Sequence, residues 1–283
     1  MNYRTDLTIE LTEAAGTIDG VRSETYTVDG VNITRTIISD EAASQTIGKP
    51  QGEYCTLEML PFSDAAFEPE SCFEAASDIL KEMLPRHGGI LAAGLGNTGI
   101  TPDALGPKTA GRILATRHIS GELAEKCGLA PLRQTAVIAP GVLGQTGIEA
   151  AEYLKCLCAQ LKPAAVIVID AMAARSLSRL GRTVQISDSG ICPGAGVGNN
   201  RPQIDSESLG TRVISLGVPT VVDMRTLAQD LCGENMPKTL GDNLIVTPRE
   251  IDLLTDRAAQ FIAMTVNAAL QPHLHPSEIA KLF

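Results

Sequence analysis

No stretch of this 283-residue chain reaches the roughly 18 apolar residues of a membrane span, and the opening Met-Asn-Tyr-Arg-Thr-Asp-Leu lacks the apolar core of a signal peptide. A cytoplasmic protein with no membrane partner is the expectation. Basic residues are scarce as well: 23 Lys and Arg stand against 33 Asp and Glu, a net charge of -10. That balance argues against a protein that grips nucleic acid by its phosphates, and leaves protein or small-molecule partners. The seven cysteines, at positions 55, 72, 127, 156, 158, 192 and 232, form neither a disulfide framework nor a paired Cys-x-x-Cys zinc pattern, so they read as mostly buried thiols. Gly-x-Ser-x-Gly and His-Glu-x-x-His are both absent, which removes the simplest serine-hydrolase and zinc-protease readings. Four histidines, at 87, 118, 273 and 275, are placed for neither a triad nor a metal cluster. No repeat, low-complexity tract or linker divides the chain.

What remains is an ordinary globular composition, 44% hydrophobic and 20% charged, with enough length for a large single core. Residues 25–28 and 31–38 are extended runs around Asp29-Gly30, a hairpin signal, and residues 54–59 can add a strand. A small antiparallel addition over about 20–60 is expected from them. Apolar positions from 72 to 84 recur at helical spacing. Strand, loop and helix then alternate at 89–118, 135–161 and 164–180, the pattern of a mostly parallel sheet with helices on both faces. The core should span about 86–270. In 212–222 Pro219 predicts a strand that stops by Leu216. Helices are expected at 224–231 and 249–270.

The unbroken apolar run 166–169 ends in Asp170, as a buried parallel strand does where ligands gather at its carboxyl end. A helix cap is the competing use for that aspartate. Gly94, Gly96 and Gly99 match the dinucleotide fingerprint, but Thr101-Pro102-Asp103 interrupts the helix that should follow. The loop can instead bring Asp103 to a site, ahead of a helix over 104–118. Asp188 and Asp223 are further carboxylates near strand ends, Arg175 could clamp an anion, and Cys192 lacks a visible basic partner. Two carboxylates held close cannot both ionise easily, so one keeps a proton while the other can deprotonate water. The same pair could hold a divalent metal. Spacing alone does not choose between them.

Several ordered motifs are more specific. Gly-Leu-Gly-Asn at 94–97, Thr-Pro-Asp-Ala-Leu-Gly-Pro at 101–107, Thr-Arg-His at 116–118 and Ala-Pro-Gly-Val at 139–142 are followed by Thr-Gly-Ile-Glu at 146–149. Ile-Asp-Ala-Met-Ala-Ala-Arg at 169–175, Gln-Ile-Ser-Asp-Ser-Gly-Ile at 185–191, Pro-Gly-Ala-Gly-Val-Gly-Asn at 193–199 and Gly-Val-Pro-Thr-Val-Val-Asp at 217–223 complete the series. The set closely resembles the germination proteases of spore-forming bacteria, endopeptidases that degrade small acid-soluble spore proteins. The resemblance implies a three-layer phosphorylase/hydrolase-like α/β fold, akin to hydrogenase maturation proteases, and an atypical aspartic mechanism without a cofactor. It carries the essential aspartates onto Asp103 and Asp170. Gly96, Asn97, Arg175, Asp188, Gly194 and Gly196 lie in its site loops. It further implies a zymogen that cuts itself after an acidic residue and before an apolar one, which here is the Asp6–Leu7 bond. Residues 1–6 would be a propeptide and 7–283 one protease domain. A homotetramer in the forespore or spore core is implied too. One departure is visible: only about two dozen residues separate the 217–223 motif from Thr-Pro-Arg-Glu at 247–250, where family members carry a longer segment.

Overall fold

The computed structural model describes residues 4–119, 132–198, 201–232 and 244–274. Residues 1–3 of the expected propeptide, Cys127 and His275 lie outside them. In chain order the strands are β1 (Val21–Val28), β2 (Val31–Ile38), β3 (Gly52–Glu58), β4 (Ile90–Gly94), β5 (Thr135–Ile138), β6 (Ala165–Ala174), β7 (Thr183–Ser187), β8 (Arg212–Asp223) and β9 (Ile245–Val246). The helices are α1 (Thr8–Ala15), α2 (Glu41–Ile47), α3 (Pro69–Met83), α4 (Leu105–Ala110), α5 (Leu143–Thr146), α6 (Ala150–Leu161), α7 (Ser206–Leu209), α8 (Met224–Cys232) and α9 (Ile251–Leu270).

Among the described residues all nine strands join one sheet in the order β1-β2-β3-β7-β8-β6-β4-β5, with β9 on β8. β5, β4, β6 and β8 are parallel. β1, β2, β3 and β7 continue the sheet antiparallel. The Asp29-Gly30 turn makes the first hairpin possible, since both residues take positive φ, 49° and 81°, as a two-residue hairpin loop requires.

Helices cover both faces, so β4 and the first half of β6 are unbroken apolar runs with no polar alternation, residues 90–93 and 165–169. Ile167, Ile169, Ile214 and Leu216 pack with α3, α4 and α9, whereas Val166, Val168 and Val213 pack with α6 and α7. Each such fully buried side chain contributes about 1.5–3 kcal/mol, enough to fix the register of β6 between its neighbours. The three-layer α/β class expected from the alternation is present.

Three expectations change. β6 does not stop at Asp170 but runs to Ala174, pairing with β8 along its whole length. No helix follows it; turns lead straight into β7, so Asp170 caps nothing. β8 likewise runs through Pro219 to Asp223. It can do so because β7 stops pairing at Gly217, where its partner is Gln185, and because the β6 register shifts between Met172 and Ala173, leaving the missing N–H of Pro219 at an irregularity. The helix expected over 104–118 is reduced to α4, preceded by a 3-10 turn at Thr101–Asp103.

Candidate active site

β4 ends at Gly94, opposite Ile169 of β6. Beyond that point no strand among the described residues lies beside the β6 edge over 171–174 on the β4 side, and the loops after β4 and β5 rise around it. The result is a cleft of about 370 Å³ at the carboxyl ends of the parallel strands, where ligands gather in open α/β sheets. Asp6, Asp103 and Asp170 all line it, with Gly96, Asn97 and Gly194. A larger cavity of about 580 Å³ lies at the other end of β4 and β5, bordered by Lys81, Arg86, His87, Arg133 and His273 and, among the described residues, by no acidic side chain.

Asp103 is positioned by glycine. The Asn97 N–H donates to Asp103 Oδ2 at 2.9 Å and to its carbonyl oxygen at 3.1 Å. Gly96 makes that turn at φ 116°, and a Cβ there would sit 2.0 Å from the Asp103 carbonyl oxygen. A Cβ on Gly94 would meet the Gly106 carbonyl oxygen at 2.0 Å. The glycines that resemble a dinucleotide fingerprint therefore let β4 and its loop pack on the chain's own backbone. Asn97 Oδ1 then accepts from Gln145 Nε2 at 2.7 Å, tying this loop to the one after β5.

Asp170 is in phase with Val166 and Val168 and is only 5% exposed. Its Oδ1 accepts from the Ala171 N–H at 2.9 Å. Burial, the charge of Asp103 and the charge of Asp6 push its carboxyl well above the usual carboxylate range. Asp103 is raised too, by burial, against the Asn97 N–H that favours its ionised form. Among the described residues no hydrogen bond joins the two carboxylates, and no group of three or more His, Cys, Asp or Glu side chains is placed to hold a metal ion.

The N-terminal segment occupies the open edge of β6. The Asp6 N–H donates to the Ala173 carbonyl oxygen at 2.8 Å, and the Ala173 N–H donates to Asp6 Oδ2 at 2.8 Å. Leu7, fully buried, packs with Ile9, Met172, Ala174 and Val222. Gln185 grips the chain on both sides of the 6–7 bond. Its Nε2 donates to the Asp6 carbonyl oxygen at 3.2 Å, and its Oε1 accepts from the Thr8 N–H at 2.7 Å.

The other candidates sit elsewhere. Asp188 accepts from the Glu53 N–H at 2.8 Å and faces Arg212 at 3.8 Å, on the antiparallel half of the sheet. Asp223 pairs with Arg4 at 3.0 Å and caps α8 through the Thr226 N–H at 2.9 Å. The Arg175 N–H donates to Glu10 at 2.7 Å. Gly196 is outside the cleft lining but presses on Asp6. The Cys192 thiol is raised by burial and donates to the Arg201 carbonyl oxygen, a poor setting for a nucleophile. Sequence reasoning missed Gln185, Thr220 and the Glu149–Arg201 ion pair at 3.1 Å, all near the cleft. Gln185 and Glu149 both lie inside motifs noted above, which was the available signal.

A buried carboxyl raised well above the usual range, beside a second carboxylate in a cleft at the strand ends of an α/β sheet, is an arrangement suited to acid–base chemistry. Known proteins narrow that class. Residues 3–233 match the germination protease family, and the chain belongs to it. It is 39% identical to the germination protease of Caldanaerobacter subterraneus subsp. tengcongensis, over 100% of this chain and 98% of that one. It is also 39% identical to that of Clostridium perfringens, over 99% and 98%, and 33% identical to that of a Geobacillus species, over 96% and 95%. The first alignment runs to 319 positions against 283 residues, so that relative carries insertions. The chain is thus a peptidase of the spore-germination class. Among solved structures it is distantly similar to the [NiFe] hydrogenase maturation protease HycI of Thermococcus kodakarensis KOD1, with a TM-score of 0.39 and 18% identity over 66% of this chain and 98% of that one. Among the described residues no helix is long and apolar enough to cross a membrane.

Proposed function

We propose that this chain is an endopeptidase in which Asp103 and Asp170 are the acid–base pair. Asp170, deeply buried and raised furthest, keeps its proton at neutral pH and delivers it to the leaving amine. Asp103, half-buried and held by the Asn97 N–H, is the ionised partner that activates water. The lack of a direct bond between them leaves room for that water and the peptide carbonyl. The observation that carries the reading is the convergence of Asp6, Asp103 and Asp170 on one cleft.

The same reading makes residues 1–6 a propeptide and residues 7–283 the protease domain, with self-cleavage at Asp6–Leu7. Support comes from the docking of that bond along β6 and the grip of Gln185 on its carbonyl. Small acid-soluble spore proteins are the proposed substrates, the spore core the proposed location and a homo-oligomer the proposed assembly, in keeping with the family.

Asp103→Asn and Asp170→Asn should each abolish cleavage of a small acid-soluble spore protein. Mass spectrometry of the wild-type chain at mildly acid pH should reveal a fragment beginning at Leu7. Full activity in either folded variant refutes the pair, and a persistently intact Met1 refutes self-processing. Activity should survive excess chelator; its loss, with recovery on adding a divalent cation, would replace the pair with a metal-dependent mechanism.

A further inference from the structure

The carboxylate of Asp6 is held without a cationic partner. Burial pushes its carboxyl above the ordinary range, and the hydrogen bonds that oppose this come from backbone, the Ala173 N–H at 2.8 Å and the Gly196 N–H. Among the described residues no Lys or Arg lies within ion-pair distance of it; Lys49 is the one positive charge that acts on it, from further away. The fit around it is close. A Cβ built on Gly196 would come 2.2 Å from Asp6 Oδ2 and 2.8 Å from Ala173 Cβ, although the backbone there is outside the left-handed region and would accept an L side chain. Only glycine leaves space for the carboxylate at that position.

This pocket lies directly N-terminal to the 6–7 bond, and the backbone around it is aligned as a bound peptide would be. Asp6 pairs with Ala173 through its own N–H, and Gln185 holds its carbonyl oxygen. We infer that the Ala173 and Gly196 backbone N–H groups form the subsite for the acidic side chain on the N-terminal side of the cleaved bond, in the chain itself and in protein substrates. The inference rests on the proteolytic reading above and adds to it the source of selectivity. Against the cost of burial, the two backbone donors favour a carboxylate over an amide, because hydrogen bonds to an ionised acceptor are about twice as strong as neutral ones. An amide side chain offers a weaker acceptor and brings N–H groups that find donors facing them. Because the uncleaved chain fills the subsite with Asp6, it also blocks substrate until that segment leaves.

The test uses two quenched-fluorescence peptides, Arg-Thr-Asp-Leu-Thr-Ile and Arg-Thr-Asn-Leu-Thr-Ile, with the self-processed wild type and the Gly196→Ala chain. The wild type should favour the Asp peptide at least tenfold in kcat/KM, and Gly196→Ala should bring that ratio close to one. Equal cleavage of both peptides by the wild type, or an unchanged preference in Gly196→Ala, overturns the subsite while leaving the proteolytic reading intact. Hydrogen exchange on the intact chain separates the two ideas. Gly196→Ala and Asp6→Ala should each speed exchange at the Ala173 amide at least tenfold. If the wild type cuts neither peptide the catalytic reading fails, and the subsite then stands or falls on that exchange: unchanged protection overturns it.

Discussion

Asp170→Asn should silence the enzyme and stabilise it above acid pH, and the size of the second effect follows from where Asp170 sits. The carboxyl is 5% exposed in a central strand, with Asp103 and Asp6 as like charges near it. Its folded-state pKa is raised above the unfolded value of 3.8. Below 3.8 both states are protonated and the group costs nothing. As pH rises towards the folded pKa the unfolded chain ionises more readily than the native one, so wild-type stability falls; above the folded pKa the loss is constant. Each tenfold preference of the fold for the protonated form corresponds to about 1.4 kcal/mol. Each kcal/mol moves the melting temperature of a chain this size by about 2–4 °C. Asparagine carries no proton to lose and keeps the oxygen that accepts from the Ala171 N–H. The assay is thermal unfolding of both chains from pH 4 to 8, with mass spectrometry confirming that each is uncleaved. The variant's advantage should be absent near pH 4 and grow to at least about 2 °C by pH 8. A difference that is flat with pH, or that grows in favour of the wild type, refutes the reasoning. A badly satisfied amide would lower the variant at every pH alike and cannot imitate the slope.

Two further outcomes follow from neighbouring contacts. Gly96→Ala should cost at least about 2 kcal/mol by urea denaturation and slow cleavage, since the new Cβ meets the Asp103 carbonyl oxygen at a positive φ. Wild-type stability together with wild-type activity would show that the loop relaxes freely. Glu10→Ala should cost about 2–4 kcal/mol in the same assay, because the 4%-exposed carboxylate accepts from the Thr5 hydroxyl, the Arg175 N–H at 2.7 Å and the Ser176 N–H at 2.9 Å, and these would be left without it. A loss under about 0.5 kcal/mol would mean that water replaces the carboxylate there.

What could be read from the sequence was local, and what could not was set by partners far along the chain. The Asp29-Gly30 hairpin and the 3.6-residue period of α9 declare themselves within a few residues, and the Val/Ile run of β6 reports burial on both faces. The continuation of β6 through Ala171-Met172-Ala173-Ala174 does not, because alanine has little preference for a strand and a buried aspartate looks like an ending. That stretch is extended because β8 pairs with it, and β8 gets past Pro219 only because β7 has already turned away. Asp103 and Asp170 could be singled out as residue types in ordered motifs, but their shared cleft is a product of the sheet order. The N-terminal residues are the clearest case. Nothing near Asp6 announces that its carboxylate meets a peptide N–H 167 positions away. The extension of β6 past Asp170 is what the proposed chemistry depends on: one strand holds the buried acid in its middle and, three residues on, offers the open edge along which Asp6 is laid. Had β6 ended at Asp170, the carboxylate would have had a cleft but no track to align a peptide beside it.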